Sequence, residues 1–269
     1  MQAGSERSMT AVLEKTHDVL QTGVDARRLG DDLFAFALIL DNEHALRRAL
    51  TEPVVPAEAK SALLRSLSQG KIAAEALDVL DFAVRHRWSQ TRDFADSLER
   101  ASVAAHVSAA DADGHLDTLE DNLFRFGRIA EANAGLRDLL SDPEKSLEGK
   151  RKLLDTLVKG KVDESTARLL AQAAASRHRS LSGVLASYQQ VAADRRESLI
   201  ATVWVAAPLT SDHKDRLVNA LSTEYSHDVH LNVIINPAVL GGVRVAIGDE
   251  VIDSTVETRL KQAHRRLET

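Results

Sequence analysis

The 269-residue chain contains no cysteine. That single absence removes disulfides, thiolate metal sites, iron–sulfur ligation and cysteine nucleophiles together, and it suits a reducing compartment. Aromatic residues make up 4% of the chain and proline only 5 positions. The β-branched and aromatic pairs that build a β-sandwich are therefore scarce, and an Ala/Leu-rich chain favours helices packed on helices. Long hydrophobic runs are missing too. The longest apolar runs, residues 33–40 and 199–209, fall far short of the ~20 residues that span a bilayer, and the polar start lacks the apolar stretch of a secretory leader. Excess positive charge is also absent. With 34 Lys+Arg against 40 Asp+Glu the net charge is -6, which argues against a general nucleic-acid or anionic-membrane binder.

What is present fits a soluble globular protein: 44% hydrophobic and 28% charged residues, in a length that calls for two or three domains. Sliding the sequence against itself by about 90 residues matches residues 29–71 with residues 119–161 without a gap, at about seventeen of roughly forty positions. That is far above the ~6% identity expected by chance. Leu33 pairs with Leu123, Phe34 with Phe124, Phe36 with Phe126, Leu46 with Leu136, Pro53 with Pro143, Leu63 with Leu153 and Leu67 with Leu157. This is a duplicated domain.

Each copy reads as helices. Leu29, Leu33, Phe36, Ala37 and Leu40 share one face, as do Leu119, Leu123, Phe126, Gly127 and Ala130, at helical rather than alternating spacing. Pro53 and Pro143 end short segments, since proline cannot continue a helix. Gly70 and Gly160 sit where a left-handed C-terminal cap is needed. Five or six short helices per copy are expected. From about residue 198 the pattern changes to three strands near residues 199–207, 229–235 and 243–247 and a hairpin into Val251 and Ile252, with an amphipathic helix after the first strand and a last helix opened by Ser254 and Glu257. The expected fold class is mostly α: two tandem helical bundles, residues 1–100 and 101–197, followed by a small α/β module, residues 198–269.

No chemistry gathers in the pattern. Around Gly70-Lys71 and Gly160-Lys161 the positions that a phosphate loop needs hold Arg65 and Ile72, then Asp155 and Val162, so these glycines read as helix caps. Gly241, Gly242 and Gly248 fail dinucleotide spacing and read as turn glycines. There is no HExxH, and Arg85-His86-Arg87 and Arg177-His178-Arg179 surround imidazole with cations, a poor metal setting. Asp31, Asp32, Asp111, Asp113 and Asp117 read as helix-start and linker acids. No GxSxG occurs. Trp88 and Trp204 read as partly buried core or interface residues. No catalytic, metal or cofactor residue is expected. The last helix carries Arg259, Lys261, His264, Arg265 and Arg266 away from Val256, Leu260 and Leu267, either as a solvated face or for an acidic partner helix.

Residues 235–267, with Pro237, Gly241, Gly242, Gly248, Asp249, Ile252, Asp253, Arg259 and Leu260, resemble the C-terminal signature of the delta subunit of bacterial F-type ATP synthase, the OSCP family. Asn236, Ser254 and Thr255 depart from the usual Asp, Gly and Ser. The resemblance extends back to about residue 101, and the first copy is an addition to the single helical domain of a standard member. The resemblance implies a non-catalytic stator subunit of the peripheral stalk, without cofactor, taking part in ATP synthesis and hydrogen ion transport on the cytoplasmic face of the bacterial plasma membrane. It implies that a helical copy grips the N-terminal helices of the alpha subunits between its first and fifth helices. In the second copy those are near residues 101–110 and 169–175, in the first near 12–20 and 77–84. It also implies that the C-terminal module, with Gly241, Gly242, Gly248, Asp249, Asp253, Arg259, Leu260, Arg265 and Arg266, joins the b subunit. No contact with nucleic acid is expected, and membrane association only through the complex. The alternative from the residues alone is a generic tandem helical adaptor or regulatory scaffold.

Overall fold

The structure, a computed structural model, describes residues 3–68, 70–142, 145–176, 180–197, 200–225, 229–236, 239, 242–247 and 250–253. Residues Met1–Ala192 and Ala193–Thr269 form two compact units.

The first unit is helical. It begins with α1 (Ala3–Leu20), α2 (Ala26–Asn42), α3 (His44–Thr51), α4 (Ala57–Ser68), α5 (Ala74–Val84) and α6 (Thr91–Ala112), and continues with α7 (Leu116–Ala132), α8 (Ala134–Ser141), α9 (Leu147–Val158), α10 (Glu164–Ala175) and α11 (Leu181–Glu197). Local chemistry explains several boundaries. Asp25, Ser146 and Asp163 each accept a backbone N–H at the start of α2, α9 and α10, satisfying amides that the first helical turn leaves without partners. Gly70 and Gly160 take φ +72° and +71° after α4 and α9, the left-handed cap expected at both.

Helices α2 to α6 begin 90 residues before α7 to α11, each in turn. The first helix repeats differently. Its counterpart is α6, displaced by 91 residues, as the left-handed glycines Gly23 (φ +77°) and Gly114 (φ +72°) behind the two helices mark. Helix α6 is thus the sixth helix of the first copy and the first of the second, and residues 100 and 101 fall inside it without a break. Its faces divide the work. Phe94, Ala95, Leu98, Ala101 and Ala105 enter a core with Leu29, Leu33, Phe36, Leu40, Leu64, Leu80 and Trp88. Val103, Val107 and Ala110 enter a second core with Leu119, Leu123, Leu154, Leu169, Leu185 and Tyr188. Spacings of three and four residues keep each set on its own side of the helix. Trp88 donates its Nε1–H to the Ala83 carbonyl at 3.1 Å, so the buried indole keeps a partner.

The second unit holds β1 (Ile200–Val205), α12 (Ser211–Tyr225), β2 (His230–Ile235), β3 (Val243–Ile247) and β4 (Glu250–Asp253). The sheet order is β2-β1-β3-β4. β1 and β2 are parallel, with α12 making the crossover that a parallel pair requires. β3 runs antiparallel to β1 and β4 antiparallel to β3. Ala201, Val203, Val205, Val245 and Ile247 pack with Leu221 of α12, which is the period-two burial of a one-faced sheet. On the other face Arg244 lies 5.4 Å from the Trp204 ring, a cation–π contact. The expected helix after Ser254 lies outside the described residues.

Candidate partner interface

A groove between the first and fifth helices of a helical copy is the expected docking site for a partner helix. In the second copy that seam lies between α6 and α10, and α2 of the first copy covers it. The Ser102 hydroxyl on α6 donates to the Gly30 carbonyl at 2.7 Å and lies 3.0 Å from Gln172 Oε1 on α10. Asp31 of α2 pairs with Arg168 of α10, and Arg27 of α2 reaches Glu164 at 3.8 Å and also pairs with Asp113. The His106 ring packs on Gly30 so closely that a Cβ there would fall 2.7 Å from Nε2. Only glycine allows this approach.

His106 is 1% exposed. Burial, reinforced by the nearby Arg27 charge, lowers its pKa to about 4, so the imidazole is neutral at physiological pH. Asp31 Oδ1 lies 3.6 Å from Nε2, too far for a hydrogen bond. Nδ1 has no hydrogen-bond partner among the described residues.

Helix α2 cannot swing aside cheaply. Its opposite face places Leu29, Leu33, Phe36 and Leu40 in the first core, each at most 2% exposed. Uncovering them costs roughly 1.5–3 kcal/mol each, and a partner helix of micromolar affinity supplies about 8 kcal/mol in total. The two sums cancel, and the ion pairs are lost besides.

The corresponding seam of the first copy, between α1 and α5, is the more exposed of the two among the described residues. Ala11, Lys15 and Asp18 occupy the α1 positions that match Ser102, His106 and Ala109. Glu75, Asp78 and Phe82 occupy the α5 positions that match Ser165, Arg168 and Gln172. Ser102 and Ser165 are 0% exposed, whereas Asp18, Glu75 and Asp78 are exposed and Ala11, Lys15 and Phe82 half-buried. Lys15 and Asp78 pair across this seam at 2.6 Å. Burial tracks coverage, and the residue types follow burial: small or uncharged side chains dominate under α2, while charged ones line the more exposed seam.

Asp31 is therefore not a helix-start acid but a mid-helix residue that ties one copy to the other, and Asp32 accepts the backbone N–H of Ala73 at 2.8 Å. The signal available in the sequence was Gly30, inside an otherwise regular helix at a position where the second copy has Glu120. An interior helical glycine points to close packing.

Of the residues expected to contact the stalk, Gly242 precedes β3 with φ +84°, and Asp253 ends β4 opposite Arg244. Gly241, Gly248, Asp249, Arg259, Leu260, Arg265 and Arg266 lie outside the described residues, as do Arg177, His178 and Arg179. Among the described residues no three His, Asp or Glu side chains gather as a metal-binding group, and no helix is long and apolar enough to cross a membrane.

Residues 102–267 match the family ATP synthase delta (OSCP) subunit. The chain belongs to that family. It is 41% identical over 267 residues to the ATP synthase subunit delta of Streptomyces avermitilis, covering 98% of each chain. It is 46% identical over 241 residues to that of Nocardioides sp., covering 89% of this chain and 86% of the relative. The Thermobifida fusca subunit matches at 39% over 268 residues, 99% of each. The family match begins inside α6, yet the similarity to these relatives extends over residues of the first copy as well. Family membership makes the chain a non-catalytic stator subunit of the membrane-associated ATP synthase, part of its peripheral stalk. It also decides between a stator component and a generic helical adaptor.

Proposed function

We propose that this chain links the catalytic head of the F-type ATP synthase, through the N-terminal helices of the alpha subunits, to the b subunit of the peripheral stalk, at the cytoplasmic face of the bacterial plasma membrane. The observation that supports this most is the division into a helical unit and a sheet unit with separate cores, within a chain of the delta family. A linker under load needs two attachments that hold independently, and two separately cored units offer them. In this reading residues 1–100 and 101–197 serve the head and residues 198–269 serve the stalk. The task is mechanical: the rotor exerts torque on the head, and a fixed strap between head and membrane stalk keeps the catalytic subunits from turning with it while ATP is made.

The helix expected from the sequence after Ser254, with the pattern Val256, Leu260 and Leu267 against Arg259, Arg265 and Arg266, supports a docking role for the C-terminal end. The test is a chain truncated after Ile252, co-purified with the head and with b. The expected outcome is retained head binding and lost b binding. Undiminished b binding by a truncated chain that keeps its helical circular dichroism would move the stalk contact to the helical unit.

A further inference from the structure

We propose that, of the two seams between a first and a fifth helix, only that of the first copy receives a partner helix, and that this helix presents a cationic edge to α5. The inference rests on the docking of an amphipathic helix of the head proposed above and adds which copy takes it and by what chemistry.

The second seam already has its occupant. Helix α2 lays Gly30 on α6 and sends Arg27 and Asp31 to α10, while its other face belongs to the first core. Removing it would dismantle the first copy. The chain itself thus shows that a helix fits this seam: a residue without a side chain at the crossing, and charged side chains reaching the fifth helix.

The first seam has the same two helices, and among the described residues its side chains are the more exposed. Half-buried Ala11 and Phe82 supply an apolar floor. The other four matched positions hold one base, Lys15, and three acids, Asp18, Glu75 and Asp78, with Lys15 held by Asp78. In the covered seam the counterparts of Asp18 and Glu75 are Ala109 and Ser165. Negative charge is therefore concentrated on the more exposed seam, and the complementary occupant is a helix with an apolar stripe bordered by Lys or Arg.

The absence of cysteine makes the test direct. Ala74→Cys and Glu164→Cys place single thiols at matching positions on the exposed sides of α5 and α10. Each full-length variant is labelled with a benzophenone maleimide and irradiated with a synthetic peptide spanning the alpha-subunit N-terminal helix. Anisotropy of the labelled peptide gives affinities in parallel. The expected result is cross-linking from position 74 and not from 164, together with binding at least about tenfold weaker for Glu75→Lys with Asp18→Lys and weakened by high salt. Circular dichroism confirms that this surface variant stays folded. Cross-linking from position 164 would overturn the assignment to the first copy while leaving helix docking intact. Affinity indifferent to salt and to the two charge reversals would overturn the cationic edge. Failure of the unmodified chain to bind the peptide at all would overturn the docking reading and this inference with it.

Discussion

At the scale of single residues, the contact of Gly30 with His106 carries the sharpest consequences. Gly30→Ala puts a methyl group 2.7 Å from the ring, so either the imidazole or α2 must move, at a cost of about 1–3 kcal/mol. Urea melts should show that loss. Adding His106→Ala should recover much of it, because the two residues touch and their effects cannot add. The imidazole also makes stability depend on pH. Its folded pKa is about 4 against 6.5 when unfolded, so above 6.5 neither state is protonated and the group contributes nothing. As pH falls from 6.5 towards 4 the unfolded chain takes up a proton that the folded one refuses. Stability drops through that window by up to roughly 3 kcal/mol. Thermal melts across this range should be steeper for the parent chain than for His106→Asn. Asp31, Arg27 and Arg168 also face this cluster, and none of them was legible as a cross-copy contact. Sequence periodicity reports which side of a helix is apolar, whereas these polar residues sit on the side that looks solvated until a second copy covers it.

At the scale of elements, the helix ends were legible because they rest on local backbone chemistry. Gly70 and Gly160 adopt φ above +70° with nothing within 4 Å of a Cβ built on either. Alanine at each should therefore lose only the backbone preference, roughly 1–2 kcal/mol, and by similar amounts, measurable as equal shifts of the denaturant midpoint. A large difference between the two would mean that the loops behind α4 and α9 are held by unlike contacts. The strands were legible for the same local reason, from alternation of Val229, Leu231 and Val233 with polar neighbours. The double use of α6 was not. Its sequence has apolar and small residues on nearly every side, which reads as a weakly amphipathic helix, and only the arrangement of two bundles explains why both faces are dry.

For the molecule as a whole, the two tryptophans fall one in each unit, Trp88 in the first helical core and Trp204 on the sheet. Fluorescence of Trp88→Phe and Trp204→Phe variants therefore reports each unit separately. Because α6 contributes to both helical cores, hydrogen exchange in α2 and α10 should collapse at one urea concentration, together with the signal of Trp88. The signal of Trp204 should follow its own transition. Protection lost in α10 well before α2 would show that the cores unfold separately despite the common helix. The duplication itself was plain from the sequence, since identities at a fixed offset need no structure to be counted. How the copies meet depended on shape and on a single missing side chain, which no count records.

Sharing α6 turns the duplication into the first step of a one-dimensional array. Each unit adds five helices and borrows its first from the unit before, so the 90-residue period has no natural stop. By the same rule α11, the counterpart of α6, has the place from which a third unit would start. Lengthening of this kind adds reach in fixed increments without introducing a joint, whereas two domains joined by a loose tether would gain a hinge with every addition.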